Sequence, residues 1–181
     1  MDCTVCHGYK LEPQELEPGL VVAGCLKCGG ALVSLINYRF WVERHQPEAE
    51  NEQALACEPR ELNDSSEAKS CPKCARFMTK YQVGHEISNR LELCAHCDEA
   101  WLDRGEWTLL KALDLAHKLP KIFTDAWQRN IRRDRMQKLQ AERYQKILGE
   151  DDFVRAVEFK QWLDRHPKRR DIKLYLDTDV S

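Results

Sequence analysis

Eight of the nine cysteines in this 181-residue sequence form four C-x2-C pairs. The first two pairs enclose 18 residues and the last two enclose 19, so the unit C-x2-C-x18/19-C-x2-C occurs twice. This spacing is typical of zinc sites, because each C-x2-C turn directs two thiolates at one ion and a hairpin returns the second turn. The predicted ligands are Cys3, Cys6, Cys25 and Cys28 in site 1, and Cys71, Cys74, Cys94 and Cys97 in site 2.

Other chemistry of cysteine fits this pattern less well. A redox dithiol needs a single C-x-x-C in a βαβ context, whereas here the pair recurs four times. Iron in a rubredoxin-like tetrathiolate has the same spacing, because soft thiolates accept iron as well as zinc. We therefore expect two Zn²⁺ ions, with iron as the alternative. His7 and His96 are alternative ligands beside complete sets, and Cys57, which has no paired cysteine, is expected to be a free thiol.

The residues between the cysteine pairs indicate β-hairpins. In the first unit, the turn signal at 17–19 lies between residues 11–16 and residues 20–23. In the second unit, Phe77, Thr79, Tyr81 and Val83 would share one face of a strand, and Leu91 and Leu93 precede Cys94. Each unit is therefore predicted to be a zinc ribbon. Segments of this size bury too little apolar surface to fold alone, so we expect bound metal to supply the missing stability.

The segment after the last cysteine pair predicts a capped helix. Asp103 and Glu106 have the spacing of a capping box, with Asp in place of Ser or Thr. An apolar stripe that includes Trp107 and Leu110 follows, Pro120 is expected to end the helix, and Trp101 and Leu102 are expected to pack against it. A catalytic carboxylate pair is the alternative for Asp103 and Glu106. Because we find no nucleophile–base set, phosphate loop or open metal site, we expect no enzyme activity.

CPKC at 71–74, CAHC at 94–97 and AWLDRGEW at 100–107 resemble the bacterial TFIIB-type zinc-ribbon family, also labelled transcription factor zinc finger. The resemblance covers about residues 70–110 and implies Cys71, Cys74, Cys94 and Cys97 as zinc ligands. CLKCGGALVSL at 25–35 has the family's glycines, but residues 34–37 replace its Asp-x-x-Glu. The resemblance therefore implies ligation in the first unit without a capping pair for a helix. By analogy it also implies a role in transcription.

The remainder of the chain is predicted to be helical. A helix is expected from Pro120 to about Leu148, with Gly149 as its stop, and a second from Asp151 or Asp152 to Pro167. Residues 172–176 alternate as in a short strand, although one helical turn is possible. The aromatic residues of these segments lie on apolar stripes and are expected in a core rather than on a base-stacking platform. They are Trp127, Phe159 and Trp162.

The net charge of −2 conceals two oppositely charged segments. Residues 43–69 carry eight acidic and three basic side chains, and residues 121–146 carry eight basic and three acidic ones. Arginine-rich helix faces suit phosphate recognition, but a solvated helix face or docking onto an acidic partner would give the same pattern. The candidate binding surface comprises Arg129, Arg132, Arg133, Arg135 and Lys138.

Together these features predict a small metal-stabilised α+β protein with two tandem four-cysteine zinc ribbons of short antiparallel β-hairpins and an α-helical C-terminal region. The expected division is a first ribbon at 1–45, a mobile acidic linker at 46–69, a second ribbon with its helix at 70–119, and helices at 120–181. We expect a non-enzymatic zinc protein that contacts nucleic acid or transcription machinery; a protein–protein adaptor is the alternative. No apolar run reaches the ~18 residues of a membrane span, and Cys3 and Cys6 leave no room for a signal peptide, so we expect a cytoplasmic protein with no membrane partner.

Overall fold

The computed structural model describes residues 1–45 and 67–178. Most of the expected linker, with Cys57, lies outside these residues. The strands are β1 Glu12–Glu17, β2 Leu20–Gly24, β3 Ala31–Ser34, β4 Thr79–Gln82, β5 Arg90–Cys94 and β6 Glu99–Leu102. The helices are α1 Leu35–Arg44, α2 Glu106–Ala112, α3 Leu119–Ile122, α4 Asp125–Leu148, α5 Glu150–Arg165 and α6 Arg169–Leu176.

The two predicted hairpins are parts of one six-stranded antiparallel sheet, in the order β1-β2-β3-β6-β5-β4. Each cysteine repeat contributes three strands, and the repeats join where β3 pairs with β6. Both central strands follow directly after a cysteine pair. β6 is buried throughout and β3 nearly so, as expected of strands covered on both faces.

The pairing of β3 with β6 is symmetric. Leu32 and Trp101 occupy equivalent positions, each four residues after the last cysteine of its repeat, and they pair with each other. On either side of them, Ala31 pairs with Leu102, and Val33 pairs with Ala100. The two repeats are thus related by an approximate two-fold axis between Leu32 and Trp101, like the interface of a symmetric dimer within one chain.

Alternation along the strands separates two apolar clusters, one on each face of the sheet. The helix-covered face carries the larger cluster, which draws on β2, β3, β5, β6 and the helices α1, α2 and α3. The opposite face carries a cluster formed by Cys3, Cys25, Leu32, Cys71, Met78, Cys94 and Trp101. The cysteines therefore lie on the face opposite the helices.

A buried tyrosine joins the helices of the first and second repeats. The hydroxyl of Tyr38 on α1 donates to the carbonyl oxygen of Ala116 at 2.6 Å and accepts from the N–H of Leu119 at 3.2 Å. Burial raises the pKa of Tyr38 to about 12, so the hydroxyl stays protonated as a donor. The helix-covered core is consequently shared between the repeats rather than built separately in each.

The helices after the repeats differ in three ways from those expected. α2 ends at Ala112, and Pro120 lies in the first turn of α3 instead of ending α2. α1 forms without the Asp-x-x-Glu pair and is longer than α2. Residues 169–176 form the helix α6, so the alternation at 172–176 does not mark a strand.

The chain divides into two compact units, Met1–Arg132 and Arg133–Ser181, and the boundary lies within α4. The first unit contains both cysteine repeats, which share one sheet. In the first unit, Trp127 packs against the helix-covered core, as expected. In the second, Phe159 and Trp162 are 44% and 50% exposed, so the prediction that they are core residues is wrong. None of the helices in the described residues is long and apolar enough to cross a membrane.

Candidate metal centres

The structure brings the eight predicted ligands together as two groups of four. One group comprises Cys3, Cys6, Cys25 and Cys28, and the other Cys71, Cys74, Cys94 and Cys97; within each, all sulfur atoms lie within 4.8 Å of one another. Neighbouring sulfurs are 3.6 Å apart, between Cys3 and Cys28 and between Cys74 and Cys94. That is far longer than a disulfide and close to the edge of about 3.8 Å of a tetrahedron whose sulfurs lie ~2.3 Å from a central ion. Each group can hold one metal ion.

The turns at the four cysteine pairs share one backbone feature. The residue after the second cysteine has a positive φ in all four turns: 33° at His7, 75° at Gly29, 59° at Ala75 and 55° at Asp98. This left-handed residue reverses the chain, and after Gly29 and Ala75 the next N–H group donates to the sulfur of the second cysteine. Only one of the four positions is glycine, so the sequence does not mark the other three as special.

Backbone N–H groups donate to the sulfurs. The N–H groups of Val5 and Cys6 lie 3.4 Å from Sγ of Cys3, and the N–H of Gly30 lies 3.4 Å from Sγ of Cys28. Such bonds stabilise a thiolate, which is the form that binds metal. The turns therefore supply both the geometry and part of the charge stabilisation that a thiolate site needs.

The sulfurs in each group shift one another's pKa values in opposite directions. Burial opposes ionisation of Cys25, but the N–H groups of Cys28 and Lys27 and neighbouring thiols lower its pKa to about 7. The N–H of Arg76 lowers the pKa of Cys74 to about 7. Burial raises the pKa of Cys28 to about 12, and the bond with Cys74 raises that of Cys97 to about 12. Four sulfurs in contact cannot all ionise alone, and a bound divalent cation would remove that conflict, so the donor set fits such an ion.

Neither histidine beside the cysteine turns joins a group. His7 and His96 are exposed, and the two groups contain cysteines only. The two histidines predicted as alternative ligands therefore belong to neither cysteine group.

The carboxylates at 103 and 106 adopt only half of the predicted capping box. The Glu106 carboxylate accepts from the N–H of Asp103 at 2.7 Å. α2 nevertheless begins after Gly105, whose φ is 86°, and has no side-chain cap. The Asp103 carboxylate instead accepts from Trp101 Nε1 at 2.8 Å and from the ammonium of Lys69. The prediction that Asp103 caps the helix through its side chain is wrong, because it pairs with a buried cation.

A buried charge network links these carboxylates to the sheet. Lys69 is 4% exposed and lies 2.9 Å from the carboxylate of Glu92, which is fully buried on β5. Burial alone would lower the pKa of Lys69, but its ion pairs with Asp103 and Glu92 raise it. Glu106, buried beside these charges, has its pKa raised to about 8, mainly by burial. Sequence reasoning missed Lys69 and Glu92, although a Glu between Leu91 and Leu93 in a strand was a signal.

Each second cysteine pair is contacted by the opposite repeat. The Arg104 guanidinium donates through Nε to the carbonyl oxygen of Cys28 at 3.0 Å and through Nη2 to that of Lys27 at 3.2 Å. Arg39 on α1 donates to the Asp98 carboxylate at 2.8 Å, next to Cys97. Sequence reasoning missed both arginines, because neither position carries a signal for a partner in the other repeat.

The basic side chains predicted to form a binding surface all lie on α4 and are all exposed. Arg129 and Arg132 belong to the first compact unit, and Arg133, Arg135 and Lys138 to the second. Arg133 lies 3.7 Å from the carboxylate of Asp134, a loose ion pair at the surface. These five residues are not part of either cysteine group.

Comparisons of the chain with protein-family models, with curated proteins and with solved structures find no match. The two cysteine groups fit zinc-ribbon-like metal binding. No family match supports the resemblance to the TFIIB-type ribbons, which remains one of motif.

Proposed function

We propose that this chain is a non-enzymatic protein that binds two Zn²⁺ ions and uses them to fix its fold. The observation that carries the proposal is the pair of four-sulfur groups, each drawn from two tight turns with sulfurs within 4.8 Å of one another. Four thiolates complete a tetrahedral shell and leave no position for water or substrate, which is the pattern of structural rather than catalytic zinc.

Metal analysis of purified untagged protein tests this proposal. We expect two zinc ions per chain by elemental mass spectrometry, and one per chain when Cys71 and Cys74 are both replaced by serine. A serine replacement of Cys57, which is in neither group, is the matched control and should retain two. Stoichiometric iron in place of zinc would support the rubredoxin-like alternative, and no bound metal would refute the proposal.

We further propose that the basic side chains of α4 contact nucleic acid or nucleic-acid-bound transcription machinery. Arg129, Arg132, Arg133, Arg135 and Lys138 are all exposed on this helix, and arginine pairs with phosphate through two parallel hydrogen bonds. The resemblance of the second repeat to transcription-associated ribbons points to the same partner by analogy.

A salt titration tests the nucleic-acid contact. The zinc-loaded protein should bind a labelled DNA or RNA duplex or single strand in fluorescence anisotropy, with an affinity that falls steeply as salt rises. Replacing Arg129, Arg132 and Arg133 with Glu should abolish binding and leave two zinc ions bound. The equally charge-changing replacement of Arg155, Lys160 and Arg165 on α5 is the control and should weaken binding much less. Absence of binding to any of these nucleic acids at low salt would refute this part of the proposal.

A protein–protein adaptor is the second candidate, favoured by the surface of the second unit. Eleven large apolar side chains are exposed there, including Leu139, Ile147 and Trp162, and Leu163 is the one buried large apolar residue among the described residues 133–178. A groove of about 560 Å³ lies between α4 and α5, lined by Tyr144, Leu148, Phe153 and Val157 among others. Exposed apolar patches of this kind mark interaction surfaces. A defined protein retained by the wild type, and lost on Tyr144→Asp, would favour the adaptor.

A further inference from the structure

The two candidate metal sites belong to one packed structure. The apolar cluster on the cysteine face contains Cys3 and Cys25 of site 1 together with Cys71 and Cys94 of site 2. The symmetric pair Leu32 and Trp101 belongs to the same cluster, which places the joint between β3 and β6 among the ligands of both sites. A shift of either ligand set must therefore be accommodated by side chains that also pack on the other.

At the joint between β3 and β6, the side chain of Trp101 lies close to the backbone of Gly30, next to site 1. A Cβ atom at Gly30, two residues after Cys28, would lie 2.4 Å from Cζ2 of Trp101. Trp101 is fully buried, and its indole N–H is held by Asp103. The indole of the second repeat is thus fixed against the backbone that follows the last ligand of the first.

The second repeat also holds the backbone of the second cysteine turn in site 1. Arg104 donates to two successive carbonyl oxygens there, those of Lys27 and Cys28. A Cβ at Gly29 would lie 2.5 Å from Nε of Arg104, so this contact needs glycine at the left-handed position. The guanidinium therefore fits directly onto the turn that presents Cys25 and Cys28.

The first repeat holds the equivalent turn of site 2. Asp98 stands where Gly29 stands in the first repeat, directly after the last cysteine. Its carboxylate accepts from Arg39, and its carbonyl oxygen accepts from the N–H of Leu35 at 3.0 Å. Both donors lie on α1. Arg104 of the second repeat thus bonds to the backbone of the last ligand of site 1. Arg39 of the first repeat bonds to Asp98, the left-handed residue after the last ligand of site 2.

We infer that the two metal sites are thermodynamically coupled, so that loading of either site increases the affinity of the other, and that Arg104 and Arg39 are the positioning residues for this coupling. This inference depends on the proposed binding of two zinc ions. Folding of a four-thiolate ribbon and metal binding are one event, and ordering one repeat here also orders an arginine, an indole and a strand that the other needs. Because coupling in binding is reciprocal, each site raises the affinity of the other by the same factor.

Native mass spectrometry of partly loaded wild-type protein tests the coupling. At one equivalent of Zn²⁺ per chain, two equal independent sites leave half of the chains with one ion, and two unequal independent sites leave more than half. Coupled sites of similar intrinsic affinity leave well under half, with metal-free and two-ion chains predominating. A one-ion fraction of half or more, together with an affinity of site 1 that does not change when site 2 is disabled, would overturn the inference, whereas failure to bind zinc at all would overturn the proposed function instead.

Two arginine variants assign the coupling to the cross-repeat contacts. Arg104→Met and Arg39→Met together keep all eight cysteines, and they should raise the one-ion fraction towards half. Arg44→Met, at the exposed last turn of the same helix as Arg39, is the matched control and should leave the distribution unchanged. A merely structural role would lower the affinity of both sites and leave the one-ion fraction low, which would overturn the assignment to Arg104 and Arg39.

Site-specific affinity gives an independent measurement. With site 2 disabled by Cys71→Ser and Cys74→Ser, the affinity of site 1 for Zn²⁺, measured by competition with a chromophoric chelator, should fall by roughly 5- to 150-fold, the range typical of coupled sites. The same change made in the Arg104→Met background should cause a smaller fall. An unchanged affinity of site 1 would overturn the inference.

Discussion

At the scale of single residues, the cysteine turns combine residues chosen for ligation with residues that tolerate a strained backbone. A side chain in the left-handed region costs roughly 1–2 kcal/mol, and three of the four turns carry one: His7, Ala75 and Asp98. The Asp98 carboxylate accepts from Arg39, whereas the Ala75 side chain is exposed. A glycine at position 75 should therefore remove backbone strain, whereas a side chain at position 29 should add it.

A matched pair of substitutions tests this difference. Ala75→Gly should raise the free energy of unfolding of the zinc-loaded protein by up to about 1 kcal/mol, because relief of strain exceeds the entropy that glycine adds to the unfolded chain. Gly29→Ala should lower it by about 1–2 kcal/mol, because the new methyl group is strained and displaces Arg104. Urea unfolding followed by tryptophan fluorescence measures both. Equal effects of the two changes would contradict the assignment.

The raised pKa of Glu106 predicts a pH dependence of stability. Its folded-state pKa of about 8 lies above the ordinary value of 4.5, because burial disfavours the charged form. The stability gained by holding Glu106 in its neutral form is therefore fully present below about pH 4.5. It is lost as pH rises towards 8, and it is absent above that.

Replacement by the neutral amide isolates this contribution. Glu106→Gln keeps an acceptor for the N–H of Asp103, and it should be more stable than the wild type at pH 8–9 by on the order of 1 kcal/mol or more. The difference should shrink as pH falls towards 5. Comparing the two proteins at each pH cancels the shared effect of cysteine protonation on metal binding. A difference that is independent of pH would show that Glu106 does not titrate in this window.

At the scale of elements, the start of α4 covers the edge of the sheet formed by strand β4. Gln128 accepts from the N–H of Gln82 at 3.2 Å and donates to its carbonyl oxygen at 2.9 Å. Trp127 donates through Nε1 to the carbonyl oxygen of Val83. One amide side chain thus occupies hydrogen-bonding positions on strand β4 that another strand would otherwise use, which limits edge-to-edge association.

Removing this amide should loosen the edge. Gln128→Leu should lower the free energy of unfolding by about 1–2 kcal/mol, because it leaves backbone groups of β4 without partners. Hydrogen exchange at the N–H of Gln82 should accelerate, as NMR can measure. Gln128→Glu keeps the acceptor but not the donor and should leave that amide slower to exchange than the leucine variant does. Equal exchange in the two variants would exclude this role.

At the scale of the whole molecule, stability should be distributed very unevenly. The first unit has two apolar clusters, whereas among the described residues 133–178 the one buried large apolar side chain is Leu163. Backbone amides exchange slowly where opening exposes a core and quickly where little is buried. The amides of β3 and β6 should therefore exchange at least about 100-fold more slowly than those of α5 and α6, a difference of roughly 3 kcal/mol. Hydrogen exchange with mass spectrometry on the zinc-loaded full chain measures this, and similar rates in both parts would indicate that a partner or second copy covers the helices.

Residue spacing and short-range patterns predicted the local features of this chain. Cysteine spacing predicted two four-sulfur groups, and turn signals and alternation predicted the hairpins at 12–24 and 79–94. Gly149 separates α4 from α5 where the sequence indicated a stop. These succeed because a turn, a strand or a C-x2-C loop depends on neighbours within a few residues. The four-cysteine groups add a strict requirement, since four sulfurs must meet at one point.

The way in which the two repeats combine depends on contacts that form only in the folded chain. The pairing of β3 with β6, the hold of Arg104 on the turn at Cys28, and the pairing of Asp103 with Lys69 all join residues more than 30 positions apart. Nothing local distinguishes an arginine that reaches another repeat from one that reaches solvent, and an Asp at a capping position has two competing partners. Strand partners are chosen by which apolar faces can be buried together, which is a property of the assembled sheet. Spacing thus predicted two four-cysteine repeats, and packing joined them into one sheet.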